Sequence, residues 1–238
     1  MGLIIAAVLT TGLALVTIGA AAWHAARPSD ARVLVLAGLV ALPLQPLAFY
    51  AVRLPLDGVV RAMLGLGTAW AVVALFYAPL TEEPAKWLVL AVPAVRRALA
   101  PSNAVPLALA IGLGFGIGEI WFLTHALVTS PSYPDLPFWM FYGFVLERLE
   151  VCLLHGVFVA LPIARLAQGK SFWPGALAGV VAHFVTNFPI YPAQIDVFRL
   201  GGPLWSLVLM AWIAALAAAG AIMLWRLHRR LLRGPLPA

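Results

Sequence analysis

The sequence predicts an all-α bundle of seven, or eight, helices that cross a membrane. Of the 238 residues, 63% are hydrophobic and only 10% are charged, and the mean hydropathy is +0.99. A water-soluble fold of this size cannot hide that much apolar surface. The hydrophobic residues also come in blocks of about 20, the number that crosses a hydrocarbon core of about 30 Å at about 1.5 Å per residue.

Apolar runs between charged, proline-rich or glycine-rich interruptions predict helices near residues 2–23, 32–52, 62–95, 105–128, 138–166, 174–193 and 203–226. The first block has no basic segment before it and further spans follow, so it reads as a transmembrane helix rather than a cleaved signal peptide. The third is too long for one straight crossing. It holds Pro79 and Pro84, each lacking a backbone donor, so it is either one bent helix or two segments. Residues 1–238 carry no linker, low-complexity tract or internal repeat and form a single membrane domain.

The net charge of +6 and pI near 10.1 do not indicate a nucleic-acid partner, because the basic residues sit singly or in pairs at block ends. In the seven-helix scheme one side collects Arg27, Arg32, Arg96, Arg97, Arg165, Lys170, Arg226, Arg229, Arg230 and Arg233. The other side has Arg53, Arg61 and Arg199, while Lys86 and Arg148 lie within helices. Ten against three places the N-terminus outside and the C-terminus in the cytoplasm. Cys152, the only cysteine, lies inside an apolar block. That excludes an internal disulfide and a cysteine-based metal site, and marks it as a small packing residue.

The carboxylates carry the functional signal. All five glutamates, Glu82, Glu83, Glu119, Glu147 and Glu150, fall inside apolar helices, whereas Asp30, Asp57, Asp135 and Asp196 fall in loops. A charged side chain at the bilayer centre costs about 2.5–3.5 kcal/mol even on the insertion scale, so five are not expected without a use. From the inner helix ends, Glu82, Glu119, Glu150 and Asn187 lie about 20–24 Å deep, and His155 and His183 about 14–16 Å. Groups this polar avoid lipid, so they should converge on a protein-lined, hydrated cavity.

Four motifs hold these residues. In Thr81-Glu82-Glu83-Pro84-Ala85-Lys86, the lysine follows the two carboxylates by four and three residues, the spacing at which helical side chains meet. Adjacent carboxylates of which one is paired form the unlike pair that acid/base catalysis uses, or a neutralised cluster that locks helices or passes a proton. In Ile111-Gly-Leu-Gly-Phe-Gly-Ile-Gly-Glu119, glycines at 112, 114, 116 and 118 make two overlapping small-residue seams for close helix packing. A dinucleotide site is excluded there, since the spacing is wrong and no strand precedes it. In Leu146-Glu-Arg-Leu-Glu-Val-Cys-Leu-Leu-His155, Arg148 and His155 share a face, Glu147 is within reach and Glu150 points elsewhere. Arg148 keeps its charge and needs a permanent carboxylate partner. His183-Phe-Val-Thr-Asn187 puts a proton-exchanging ring and an amide donor on one face. His125 and His228 lie near helix ends and read as ordinary, while Trp23, Tyr50, Trp139, Tyr142, Trp173 and Trp225 read as interfacial anchors.

These four motifs, in this order over roughly residues 70–190, resemble the clan of polytopic membrane proteases that includes PrsW, the YhfC-like proteins and the CAAX-processing CPBP family. The resemblance implies that Glu82 is the base that activates water and Glu83 its partner. It makes His155 and His183 the family histidines and Asn187 the oxyanion donor. Three positions depart from the branches: Lys86 stands where the CAAX branch has Arg, Val151 where it has Phe, and Ile120 where PrsW-like members often have Asn. The expected catalytic set is Glu82, Glu83, Glu119, His155, His183 and Asn187, with Lys86, Glu147, Arg148 and Glu150 as structural ion-pair residues. The implied activity is hydrolysis of a peptide bond in a membrane protein or lipid-anchored peptide, in the plasma membrane of a prokaryote and in contact with membrane lipid.

Metal-free glutamate and histidine chemistry is the expectation, because the chain lacks His-Glu-x-x-His and Lys86 and Arg148 oppose a bound dication. The alternative is a zinc site of His155 and His183 with Glu82 or Glu119. Two other functional classes use the same residues: a proton-coupled transporter or channel, and a non-catalytic clan member that binds a membrane partner.

Overall fold

The computed structural model describes residues 1–130, 136–195 and 197–233, and every regular element among them is a helix. Asp135 and Asp196 lie outside the described residues. Helix α1 spans Gly2–Ala25 and α2 spans Pro28–Leu64. The short α3 (Thr68–Ala74) and α4 (Tyr77–Trp87) follow, then a 3-10 turn over Leu88–Ala91 and α5 (Pro93–Arg97). Next come α6 (Pro101–Val128) and α7 (Phe138–Ala167). Helices α8 (Trp173–Asn187) and α9 (Ile190–Gln194) precede the last, α10 (Gly202–Arg233). Five of these, α1, α2, α6, α7 and α10, are long and apolar enough to cross a membrane.

The apolar block at 62–95 is not one helix. Helix α2 runs on to Leu64 and stops at Gly65, whose φ of +69° suits a residue without Cβ. The chain restarts as α3 and α4, then breaks again at Val92, which is extended because the ring of Pro93 disfavours helical geometry in the residue before it. Pro79 sits in the first turn of α4, where its missing N–H has no helical partner to lose. Pro84 lies inside α4 and frees the carbonyl one turn earlier. The block at 174–193 is likewise divided, with α8 ending at Asn187 before Pro189.

Helix α6 is the centre of the bundle, with 78% of its apolar window buried, against 17% for α10 at the periphery. Its glycines explain how neighbours come so close. A Cβ on Gly112 or Gly116 would collide with Gly156 or Cys152 of α7, and a Cβ on Gly114 or Gly118 with the Gly38 or Leu42 carbonyl of α2. The two interleaved seams therefore serve two different helices. Cys152 is fully buried in this contact, as a packing residue. Trp23, Tyr50, Trp139, Tyr142, Trp173 and Trp225 are all exposed, as anchors at the edge of an apolar belt are.

Candidate functional site

Helices α4, α6, α7 and α8 each contribute charged or polar groups to one buried network. From α4, Lys86 Nζ donates to Glu83 Oε1 at 2.5 Å, the i to i+3 contact that its spacing anticipates. The same ammonium reaches His155 Nδ1 of α7 at 2.8 Å. His155 Nε2 lies 2.9 Å from Glu119 Oε2 at the end of the α6 glycine run. Arg148 Nη1 donates to Glu119 Oε1 at 2.9 Å, and Arg148 Nη2 to Glu147 Oε1 at 2.6 Å. On the other flank, His183 Nδ1 of α8 lies 2.7 Å from the same Glu83 oxygen. Glu83 and Lys86 are completely inaccessible to solvent, and Glu82, Arg148, His155 and His183 are buried.

The pairing fixes the protons. A lysine ammonium only donates, so His155 Nδ1 accepts from it and the ring carries its proton on Nε2, which donates to Glu119. Lys86 Nζ also faces the rings of Phe115 and Phe158, at 4.9 and 5.5 Å from their centroids. Glu83 accepts, so His183 donates from Nδ1 and leaves the lone pair on Nε2. Phe158 stacks on the His183 ring at 5.0 Å and fixes its plane. The free Nε2 faces Glu82 Oε2 at 3.9 Å, beyond a direct hydrogen bond and within reach of one bridging water. The second oxygen of Glu83, Oε2, is buried and has no hydrogen-bond partner among the described residues.

Beside Glu82 lies a cavity of about 460 Å³ lined by residues of α2, α3, α4, α8 and α9. Asn187 and Tyr77 line it, as do Asp57, Arg61 and Trp70. Arg53 also lines it and reaches Glu82 Oε1 at 3.9 Å, so its guanidinium connects the cavity to the carboxylate. It is carried there by a π-helical turn over Phe49–Arg53. That wider turn relieves the crowding between the ring of Pro55 and the preceding carbonyls and lets α2 continue. Asp57 accepts from Trp70 Nε1 and Arg61 Nε, both at 2.7 Å, and Arg61 lies over the Trp70 ring at 4.6 Å. These contacts hold α3 against the end of α2.

Glu82, Glu83, Lys86, Glu119, Glu147, Arg148, His155 and His183 thus meet in one cluster, and Asn187 joins it through the cavity. Glu150 does not. It has no ion-pair partner among the described residues and lines an apolar groove on the opposite side of α7, with Thr17, Leu109 and His228. The ion-pair role expected of Glu150 therefore finds no partner among the described residues: the groove it lines is formed with α1, α6 and α10. Arg53 was not anticipated. It falls just beyond the predicted 32–52 helix, yet Arg53, Asp57 and Arg61 repeat at four-residue spacing, a helical signal that extends α2.

Among the described residues no three His, Cys, Asp or Glu side chains converge as metal ligands. A dication held by His155, His183 and Glu82 would have to displace Lys86 or Glu119 from His155, whose two ring nitrogens are both engaged. Compared with protein-family models, curated proteins and solved structures, the chain matches none.

Proposed function

We propose that the chain is an intramembrane endopeptidase in which Glu82 and His183 activate a water against a peptide carbonyl. The observation that carries this reading is the 3.9 Å gap between Glu82 Oε2 and a His183 Nε2 whose lone pair is left free by the Nδ1 bond to Glu83. A water in that gap can donate to both groups. As it attacks, Glu82 takes one proton, the new C–O bond forms, and the carbonyl oxygen becomes an oxyanion, for which the Asn187 amide is the proposed donor. Collapse re-forms the C=O and breaks the C–N bond; the proton held by Glu82 goes to the departing amine, and the hydroxyl proton of the new carboxyl group passes to it through His183 Nε2, leaving a carboxylate and an ammonium ion as products.

A proton wire fits the same network less well. One of its links is Arg148, whose guanidinium cannot be deprotonated in a protein, so a proton cannot pass along the chain from Glu147 to Glu119. The substrate class that suits a site at this depth is a membrane protein or lipid-anchored peptide.

The test compares membrane peptides in cells carrying wild type and Glu82→Gln. Substrate fragments should disappear in the variant while the protein stays folded and inserted. Continued cleavage would remove Glu82 from the role of base. Run on purified protein before and after chelation, the same assay addresses metal: unchanged turnover is expected, and stoichiometric zinc whose removal stops turnover and whose return restores it would refute the metal-free scheme. For orientation, reporter fusions after Arg97, Gln168 and Ala238 should all read as cytoplasmic. An external signal from the Arg97 fusion would overturn the seven-crossing topology.

A further inference from the structure

At the far end of the bundle from the Arg53 cavity, a second cavity of about 640 Å³ opens where α6 begins and α7 and α10 end. Its lining divides by chemistry. Pro101, Ala167, Leu227 and Leu231 give an apolar floor, and Lys170 and Arg230 give a cationic rim. Neither Lys170 nor Arg230 has an ion-pair partner among the described residues, and residues 151–195 and 197–233 contain no Asp or Glu.

Lys170 is also held in place. Helix α7 closes with Gly169 at φ +71°, the Lys170 N–H donating to the Arg165 carbonyl at 2.9 Å and the Gly169 N–H to that of Leu166 at 3.0 Å. The Lys170 ammonium donates to Gln168 Oε1 at 2.7 Å, and the Gln168 amide donates back to the Ala164 carbonyl at 2.9 Å. Arg230 projects from α10 one turn after Arg226, beside an Arg229 laid over the Trp225 ring at 5.1 Å. Orienting a helix in a bilayer requires basic residues near its end, but not a cavity with a fixed lysine.

We propose that this cavity binds the head group of an anionic phospholipid, its phosphate between Lys170 and Arg230 and its glycerol and first acyl carbons over Leu227, Leu231 and Ala167. The apolar floor distinguishes a lipid from free phosphate, which has nothing to place there. Basic pockets between membrane helices take acidic lipid head groups for this reason. Such a lipid ties the end of α10, the least buried of the five spans, to α6 and α7.

The test uses the full chain reconstituted in phosphatidylcholine bilayers with added phosphatidylglycerol, with retained lipid counted by native mass spectrometry. Wild type should retain phosphatidylglycerol over phosphatidylcholine, and a large excess of inorganic phosphate should not displace it. Neutralising both cations in Lys170→Gln/Arg230→Gln should weaken retention by about thirty-fold, about five-fold for each charge. The charge-conserving pair Lys170→Arg/Arg230→Lys should keep it, as should Arg233→Gln outside the cavity. Four results would overturn the proposal. These are equal retention of the two lipids, undiminished retention in the neutralised variant, displacement by phosphate, and an equal loss in Arg233→Gln, which would indicate diffuse attraction to a basic surface.

Discussion

The two flanks of the buried network differ in how tightly they are held. On the Glu119 flank every charged group is paired at 2.9 Å or less, through Lys86, His155, Arg148 and Glu147. On the Glu82 flank the contacts to His183 Nε2 and Arg53 are both 3.9 Å, and a cavity lies alongside. Removing charges from water costs several kcal/mol per ion, and close pairing offsets this only when partners are complete. The tight flank is therefore suited to holding α4, α6 and α7 in register. The loose flank keeps a carboxylate and an imidazole lone pair unengaged in a fixed frame, which is what a reaction that must receive water and substrate needs. Adjacent residues fall on opposite sides of this divide: Glu83 belongs to the tight frame and Glu82, in the proposed mechanism, to the chemistry.

Arg148→Ala is the largest expected disruption of the frame. It leaves Glu119 without its cation in a buried position, a loss of about 3–5 kcal/mol, and should appear as a large fall in melting temperature and poor accumulation in the membrane. A variant that melts like wild type would mean that the tight flank holds nothing together. Asn187→Ala acts on the loose flank. Loss of an oxyanion donor should lower turnover by about a hundred- to a thousand-fold with little change in melting temperature, and unaltered turnover would leave Asn187 as a cavity wall only. The smallest effect belongs to Glu150→Gln. With no ion pair to break, it should shift stability by no more than about 0.5 kcal/mol and leave activity intact, and a loss as large as that of Arg148→Ala would place Glu150 back in the network.

The helical class and the pairing of Glu83, Glu119 and Glu147 were legible in the sequence because lipid penalises stray charge, although Glu150 has no ion-pair partner among the described residues. The convergence of Lys86, Glu119, Arg148 and His155 followed from depth and helical spacing. The seams at Gly112, Gly114, Gly116 and Gly118 were legible as packing, although not that they serve two different helices. Three things were hidden. The division of the 62–95 block depends on the backbone at Gly65 and Val92, which hydropathy does not report. Arg53 reaches Glu82 because a π-turn carries α2 past the predicted end at residue 52. The separation of Glu82 from Glu83 depends on which carboxylate His183 Nδ1 meets, a choice of rotamers that two adjacent glutamates do not encode.

That separation is tested most directly by measuring peptide hydrolysis and thermal unfolding on the same purified preparations of Glu82→Gln and Glu83→Gln. Glu82→Gln should keep the wild-type melting temperature and lose turnover. Glu83→Gln should melt lower, since Lys86 and His183 both lose a buried carboxylate. Retained turnover in Glu82→Gln, or a Glu83→Gln protein as stable as wild type, would contradict the division into a holding flank and a reacting one.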